Sequence, residues 1–124
     1  MVWKFVNDRP VYLQIMDTIR IAVLSGEFQP GQKFPSVRDL AMDAQVNPNT
    51  VQHALQELEA SGLLVTEGTA GRHVTNDPSI LDAARKAQLE MLAKQCLAQF
   101  ASYGVSPAQA AQMLLEYQAE RKDV

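Results

Sequence analysis

The chain is poor in the residues that many functions depend on. It has one cysteine, two histidines and one tryptophan, and fewer basic than acidic side chains, 11 against 14. The single Cys96 excludes an intramolecular disulfide framework and suits a reducing compartment. It reads as a small buried apolar side chain with no redox role. His53 and His73 have no serine, cysteine or carboxylate beside them in a nucleophile arrangement, and no glycine-rich phosphate loop occurs. An enzyme is therefore not expected. No histidine follows His73, and the acids beyond it are scattered, so neither a metal cage nor a cofactor site is expected. MVWKF is not a signal peptide, and no apolar run approaches the length of a membrane span. These features predict a soluble cytoplasmic protein. A surplus of positive charge is missing too. The net charge is −3, and residues 1–75 hold six Lys/Arg against eight Asp/Glu. A nucleic-acid partner would have to be met by the placement of cations, since there is no excess of them.

What is present in these 124 residues fits one small domain with an appendage. The informative stretch is Pro35 to Gly62, which reads as two short helices joined by a tight turn. Ser36 caps the first, with Asp39 three residues on as reciprocal partner, and Val37, Leu40 and Ala41 face inward. Gln45-Val46 forms the turn, with Val46 plugging the corner. Asn47 caps the second helix and Pro48 takes its first position. Val51, Ala54, Leu55 and Leu58 then give it one buried side, and Gly62 closes it. This is a helix-turn-helix pattern. The outer side carries Asn47, Asn49, Thr50, Gln52, His53 and Gln56. Asn and Gln can pair bidentately with adenine in a major groove, so this crowding of uncharged polar groups points to DNA. An ordinary solvated helix face is the plainer alternative, and the helix carries no Lys or Arg of its own.

Around this core the pattern is mixed. Trp3 and Phe5 suit a short strand or an aromatic plug. Asn7 to Pro10 marks a turn into a helix with Tyr12, Ile15, Ile19 and Ala22–Val23 on one side, stopped by Gly26. Phe28 to Pro35 is a turn-rich connector. After Gly62, Leu63–Thr66 and His73–Thr75 are β-prone, and Glu67–Arg72 between them holds two glycines, which predicts a hairpin. A hairpin directly after the second helix is a wing whose only cation is Arg72, placed for a backbone or a minor groove. Beyond the break at Asn76–Ser79 the chain is helical, first from Ile80 to about Tyr103, then from a capping box at Ser106–Gln109. Leu81, Ala84, Leu92, Cys96 and Phe100 stripe the first of these helices, and Met113 and Tyr117 stripe the second. Two such helices cannot bury broad apolar faces on each other alone, which predicts a helical hairpin that pairs with a second copy.

The run PVYLQI, SGEFQPGQKFPSVRDLA, VNPNTVQHALQELEASGLL and TAGRHVT resembles the GntR family of bacterial transcription regulators over residues 9–75. The short two-helix tail resembles the YtrA-type subfamily. The resemblance implies a mainly α (α+β) fold, with a winged helix-turn-helix over 1–76 and a helical dimerisation region over 77–124. It implies a sequence-specific regulator, usually a repressor, that binds an inverted-repeat operator in double-stranded DNA as a homodimer. Ser36 and Arg38 match the family's P-S-x-R, in which the arginine reaches DNA. Asn47, Asn49, Thr50 and Gln52 sit where the family makes its recognition-helix contacts, with His53 beside them, and Gly71 and Arg72 match a T-x-G-R wing. The chain departs from its relatives at Pro48 and Glu67-Gly68, where many carry arginine, and His73 replaces an aromatic. Together these departures imply weaker phosphate attraction. A small-molecule effector between paired tails would meet Met91, Met113 and Tyr117, side chains that also read as dimer core. A winged helix that binds protein with little DNA affinity is the alternative, favoured by the acidic balance.

Overall fold

The computed structural model describes residues 1–120; positions 121–124 of the expected helical region lie outside the described residues. Helix α1 spans Val11–Leu24 behind Pro10 and buries Ile15, Ile19, Ala22 and Val23. Helix α2 spans Val37–Ala44, and its Ser36 cap accepts the Asp39 N–H at 3.1 Å. Asp39 returns no bond to Ser36 among the described residues, so only the forward half of the expected pair forms. The turn is made by Gln45, at a left-handed φ of 57°, and Val46 donates its N–H to the Ala41 carbonyl at 3.1 Å while packing on the core.

Helix α3 spans Pro48–Ala60, and Val51, Ala54, Leu55 and Leu58 are each fully buried. Its end is set by Gly62, at φ +86°. The Leu63 N–H returns to the Leu58 carbonyl and the Gly62 N–H to that of Glu59, the paired bonds by which a left-handed glycine closes a helix. That closure turns the chain straight into strand β1, Leu64–Thr66, which pairs antiparallel with β2, Arg72–Val74. Leu64 lies opposite Val74 and Thr66 opposite Arg72, with a single 3-10 turn, Gly68–Ala70, at the tip.

The connector before α2 does more than fold its aromatics inward. Gly31 donates to the Val74 carbonyl, Val74 to that of Gln32, and Phe34 to that of Arg72, each at 2.9 Å. The segment thus runs along the free edge of β2 and anchors the wing to the helices. Phe34, 3% exposed, is buried against Phe28 at a ring distance of 4.9 Å. At the N-terminus the plug, and not the strand, is what forms. Trp3 packs on the core and donates its indole N–H to Asp43 at 2.7 Å.

Helix α4 spans Pro78–Ser102, and Asp77 receives the Ser79 N–H and hydroxyl ahead of it. The chain divides into two compact units, Met1–Arg85 and a second beginning at Lys86. The first unit therefore runs past residue 76 and takes in the opening turns of α4. Leu81 is buried in its core, Ala84 packs against that core, and Arg85 donates to the Leu24 carbonyl at 2.8 Å. This corrects the expectation for two residues: Leu81 and Ala84 are spent inside the winged helix and not kept for pairing with a second copy. The physical reason is that an apolar stripe says which side of a helix is buried but not against what.

Within the second unit, Gly104 at φ +77° ends the turn after α4, and α5 spans Pro107–Glu120. The capping box at its start is complete. Ser106 Oγ accepts the Gln109 N–H at 3.2 Å, and Gln109 Oε1 accepts the Ser106 N–H at 3.0 Å. Ala110 is fully buried, Cys96 and Phe100 are half-buried, and Leu92, Met113 and Tyr117 are 59%, 51% and 57% exposed. These apolar faces are left largely open by the single chain.

Candidate nucleic-acid interface

With its apolar side buried, α3 can present only one other side. Asn49, His53 and Gln56 are exposed there, and Thr50 and Gln52 are half-buried. The side-chain groups of Asn49, Gln52 and Gln56 make no hydrogen bond to any described residue. They are therefore available to the donor and acceptor edges of bases. Asn47 behaves differently. Its Oδ1 accepts the Asn49 N–H at 2.8 Å, so the expected helix cap forms on a residue that was also expected to contact DNA. His53 is also constrained. Its ring stacks on Tyr12 of α1 with centroids 3.9 Å apart and planes at 16°, and its Nε2 lies 3.8 Å from Glu57 Oε1.

The start of α2 and the wing border one open cleft, lined by Lys33, Pro35, Ser36, Gly71 and Arg72, with the acids Asp39 and Glu59. Gly71, at φ +79°, makes the left-handed step that leads Arg72 into β2. Arg38 is exposed and forms no ion pair among the described residues, and it borders a shallow groove with Met42, Val46 and Pro48. The structure thus places Ser36, Gly71 and Arg72 around one cleft. Arg38 is the second residue of α2, and the amides lie on α3.

Arg72 is not free, as the wing reading expects. Its Nε–H is bonded to Glu59 Oε1, and the same oxygen accepts the Thr66 hydroxyl at 2.8 Å. Partial burial works to raise the Glu59 pKa, but the Thr66 hydroxyl and the Arg72 guanidinium outweigh it and hold the carboxyl below its ordinary value. Of the other cations in this unit, Arg9 and Arg20 both pair with Asp17, at 2.8 and 3.1 Å. Lys4, Lys33 and Arg38 have no ion pair among the described residues. Sequence reasoning missed Lys33 as a cleft cation, Tyr12 as the His53 partner and Glu59 as the Arg72 partner. Two acids on the last turn of α3, Glu57 and Glu59, and a lone Arg72 on the wing were the only available signal for the last of these.

The family described as bacterial regulatory proteins, gntR family, matches residues 11–74, which takes in α1, both helices of the turn motif and the whole wing. The chain belongs to the GntR family. It is 38% identical over 79 residues to the uncharacterized HTH-type transcriptional regulator YhcF of Bacillus subtilis. It is also 38% identical over 71 residues to the HTH-type transcriptional repressor YtrA of the same organism. The matched stretches take in 64% and 57% of this chain, and the chain spans 65% and 55% of the length of those relatives. Among solved structures, a GntR family transcriptional regulator from Listeria monocytogenes superposes with a TM-score of 0.84 at 26% identity, over 90% of this chain and 98% of that one. The AraR DNA-binding domain in complex with operator ORR3 superposes with a TM-score of 0.52 at 27% identity, over 60% of this chain and 88% of that one. The family match and the superposition together give the chain a winged helix-turn-helix followed by C-terminal helices. No described helix is long and apolar enough to cross a membrane.

Proposed function

We propose that this GntR-family protein is a cytoplasmic repressor that binds an inverted-repeat operator as a homodimer, with α3 in the major groove and the wing on the backbone or in the minor groove. The observation that carries the reading is the outer side of α3: Asn49, Gln52 and Gln56 hold unpartnered amides beside a fully buried apolar side. Such amides can pair bidentately with adenine in the major groove, so this side of the helix suits base readout. Homodimerisation is supported by the exposed apolar side chains of Leu92 and Met113. Repression is supported by the likeness to the YtrA repressor.

The test is selection of bound duplexes from a random pool, followed by a reporter carrying the selected site. Enrichment of an inverted repeat with half-sites about one helical turn apart, and reporter silencing by the protein, are the expected results. Enrichment of a single half-site, or reporter activation, would overturn the dimeric repressor. The net charge of −3, together with the internal pairing of Arg9, Arg20 and Arg72, favours a second reading, a winged helix that binds protein. The absence of any enriched duplex, with dimers present in solution, would support it.

A further inference from the structure

We propose that Glu59 is a positioning residue for the wing: it holds Arg72 by the inner guanidinium nitrogen and leaves the two terminal amino groups for a DNA phosphate. The inference rests on the DNA-binding reading and names a residue through which that reading works. Guanidinium offers five N–H donors in a planar fork, and the atom used to hold it decides what remains. Arg9, Arg20 and Arg85 each meet their carboxylate through a terminal nitrogen, Nη1, so the end of the fork is occupied. Arg72 meets Glu59 through Nε, and its Nη1 and Nη2 have no partner among the described residues.

The surroundings fit a mount better than a simple neutralising pair. Glu59 lies on the last turn of α3, and its Oε1 also accepts the hydroxyl of Thr66, the residue opposite Arg72 in the hairpin register. One carboxylate oxygen therefore ties the recognition helix to both strands of the wing. The Arg72 and Glu59 side chains are 19% and 29% exposed, which shields the contact from full screening. Arg72 is the only cation between Gly62 and Val74, and it borders the same cleft as Lys33 and Ser36. A free arginine loses rotamer freedom when it grips a phosphate; an arginine already fixed at Nε has lost most of that freedom in advance.

Two variants separate position from charge. Glu59→Gln and Glu59→Ala both remove the negative charge near DNA, but only glutamine keeps an oxygen that can accept from Nε and Thr66. Binding to the selected operator is expected to be weaker for Glu59→Ala than for Glu59→Gln by roughly 2- to 12-fold per protomer, the span of ordering one long side chain. In an Arg72→Ala background the gap should vanish. Equal affinities for the two variants would overturn the proposal. So would a gap that persists without Arg72, because Glu59 would then act through the fold. The mount is also read without DNA, from the Arg72 Nε–H signal in NMR. It should be slow to exchange in wild type and Glu59→Gln and fast in Glu59→Ala. The same exchange in all three proteins would refute the positioning itself. If the signal behaves as expected but wild type enriches no duplex, the DNA reading fails and the phosphate role of Arg72 fails with it.

Discussion

Salt dependence gives the sharpest check on how an acidic protein holds DNA. Each phosphate neutralised contributes about 0.9 to the slope of log K against log salt on duplex DNA. Lys33, Arg38 and Arg72 are the cations that border the clefts at α2 and the wing. If each reaches one phosphate per protomer, a dimer makes about six contacts and the slope is about −5. Arg38→Ala removes two of these, so the slope should flatten to about −3.6 and affinity at 0.15 M salt should fall about 30-fold. The exposed Arg38 side chain pairs with no described residue, so its loss leaves no buried charge and should leave the fold unchanged. Fluorescence anisotropy with a labelled operator between 50 and 300 mM salt measures both quantities. An unchanged slope would refute the placement of Arg38 at the backbone. A wild-type slope shallower than about −2 would refute the premise that these three cations carry the electrostatic part of binding.

Other outcomes follow from particular contacts. Asn49→Ala should alter preference at one base position of each half-site, worth about 1–3 kcal/mol of discrimination, and repeated selection from the random pool reads it. Leu92→Asp on the open face of α4, 59% exposed, should leave the helical content by circular dichroism nearly unchanged while light scattering shows monomer in place of dimer. Gly31→Ala should cost about 1–2 kcal/mol in chemical denaturation, because φ there is +79°. The Asn76 amide 2.6 Å from the added Cβ can swing away, so Asn76→Ala should not restore the loss. The Glu59 carboxyl titrates below its ordinary value of 4.5, so the stability it contributes is present above that pH and is lost as the pH falls through its lower folded value. The thermal midpoints of wild type and Glu59→Gln should therefore separate above pH 4.5 and converge as the pH falls below it, and parallel curves across that range would refute the linkage.

The winged helix was legible because its signals are local. Caps at Ser36, Asn47 and Ser106 lie within one turn of the groups they satisfy, and a buried side repeats every three or four residues. The same logic found Gly62 as a helix stop and a hairpin after it. It missed the pairing of the Gly31–Phe34 connector with β2, because a stretch broken by proline and glycine carries no period of two. It also placed Arg72 against a backbone or a minor groove without seeing that Glu59 already holds it inside the protein.

The amino-acid sequence by itself determined which segments are helices, where they stop, and that the amides of α3 share a side opposite its apolar stripe. These outcomes depend on φ preferences and hydrogen bonds within a few residues of each other. Only the tertiary structure decided which charges meet and which apolar residues are used up. Glu59 and Arg72, 13 residues apart, come together because Gly62 turns β1 back along α3 and the hairpin returns β2 beside it. Leu81 falls in the winged-helix core for a similar reason: α4 begins where the wing ends, so its first turns lie beside that core. Periodicity states that a side is buried; which partner buries it depends on the placement of whole elements.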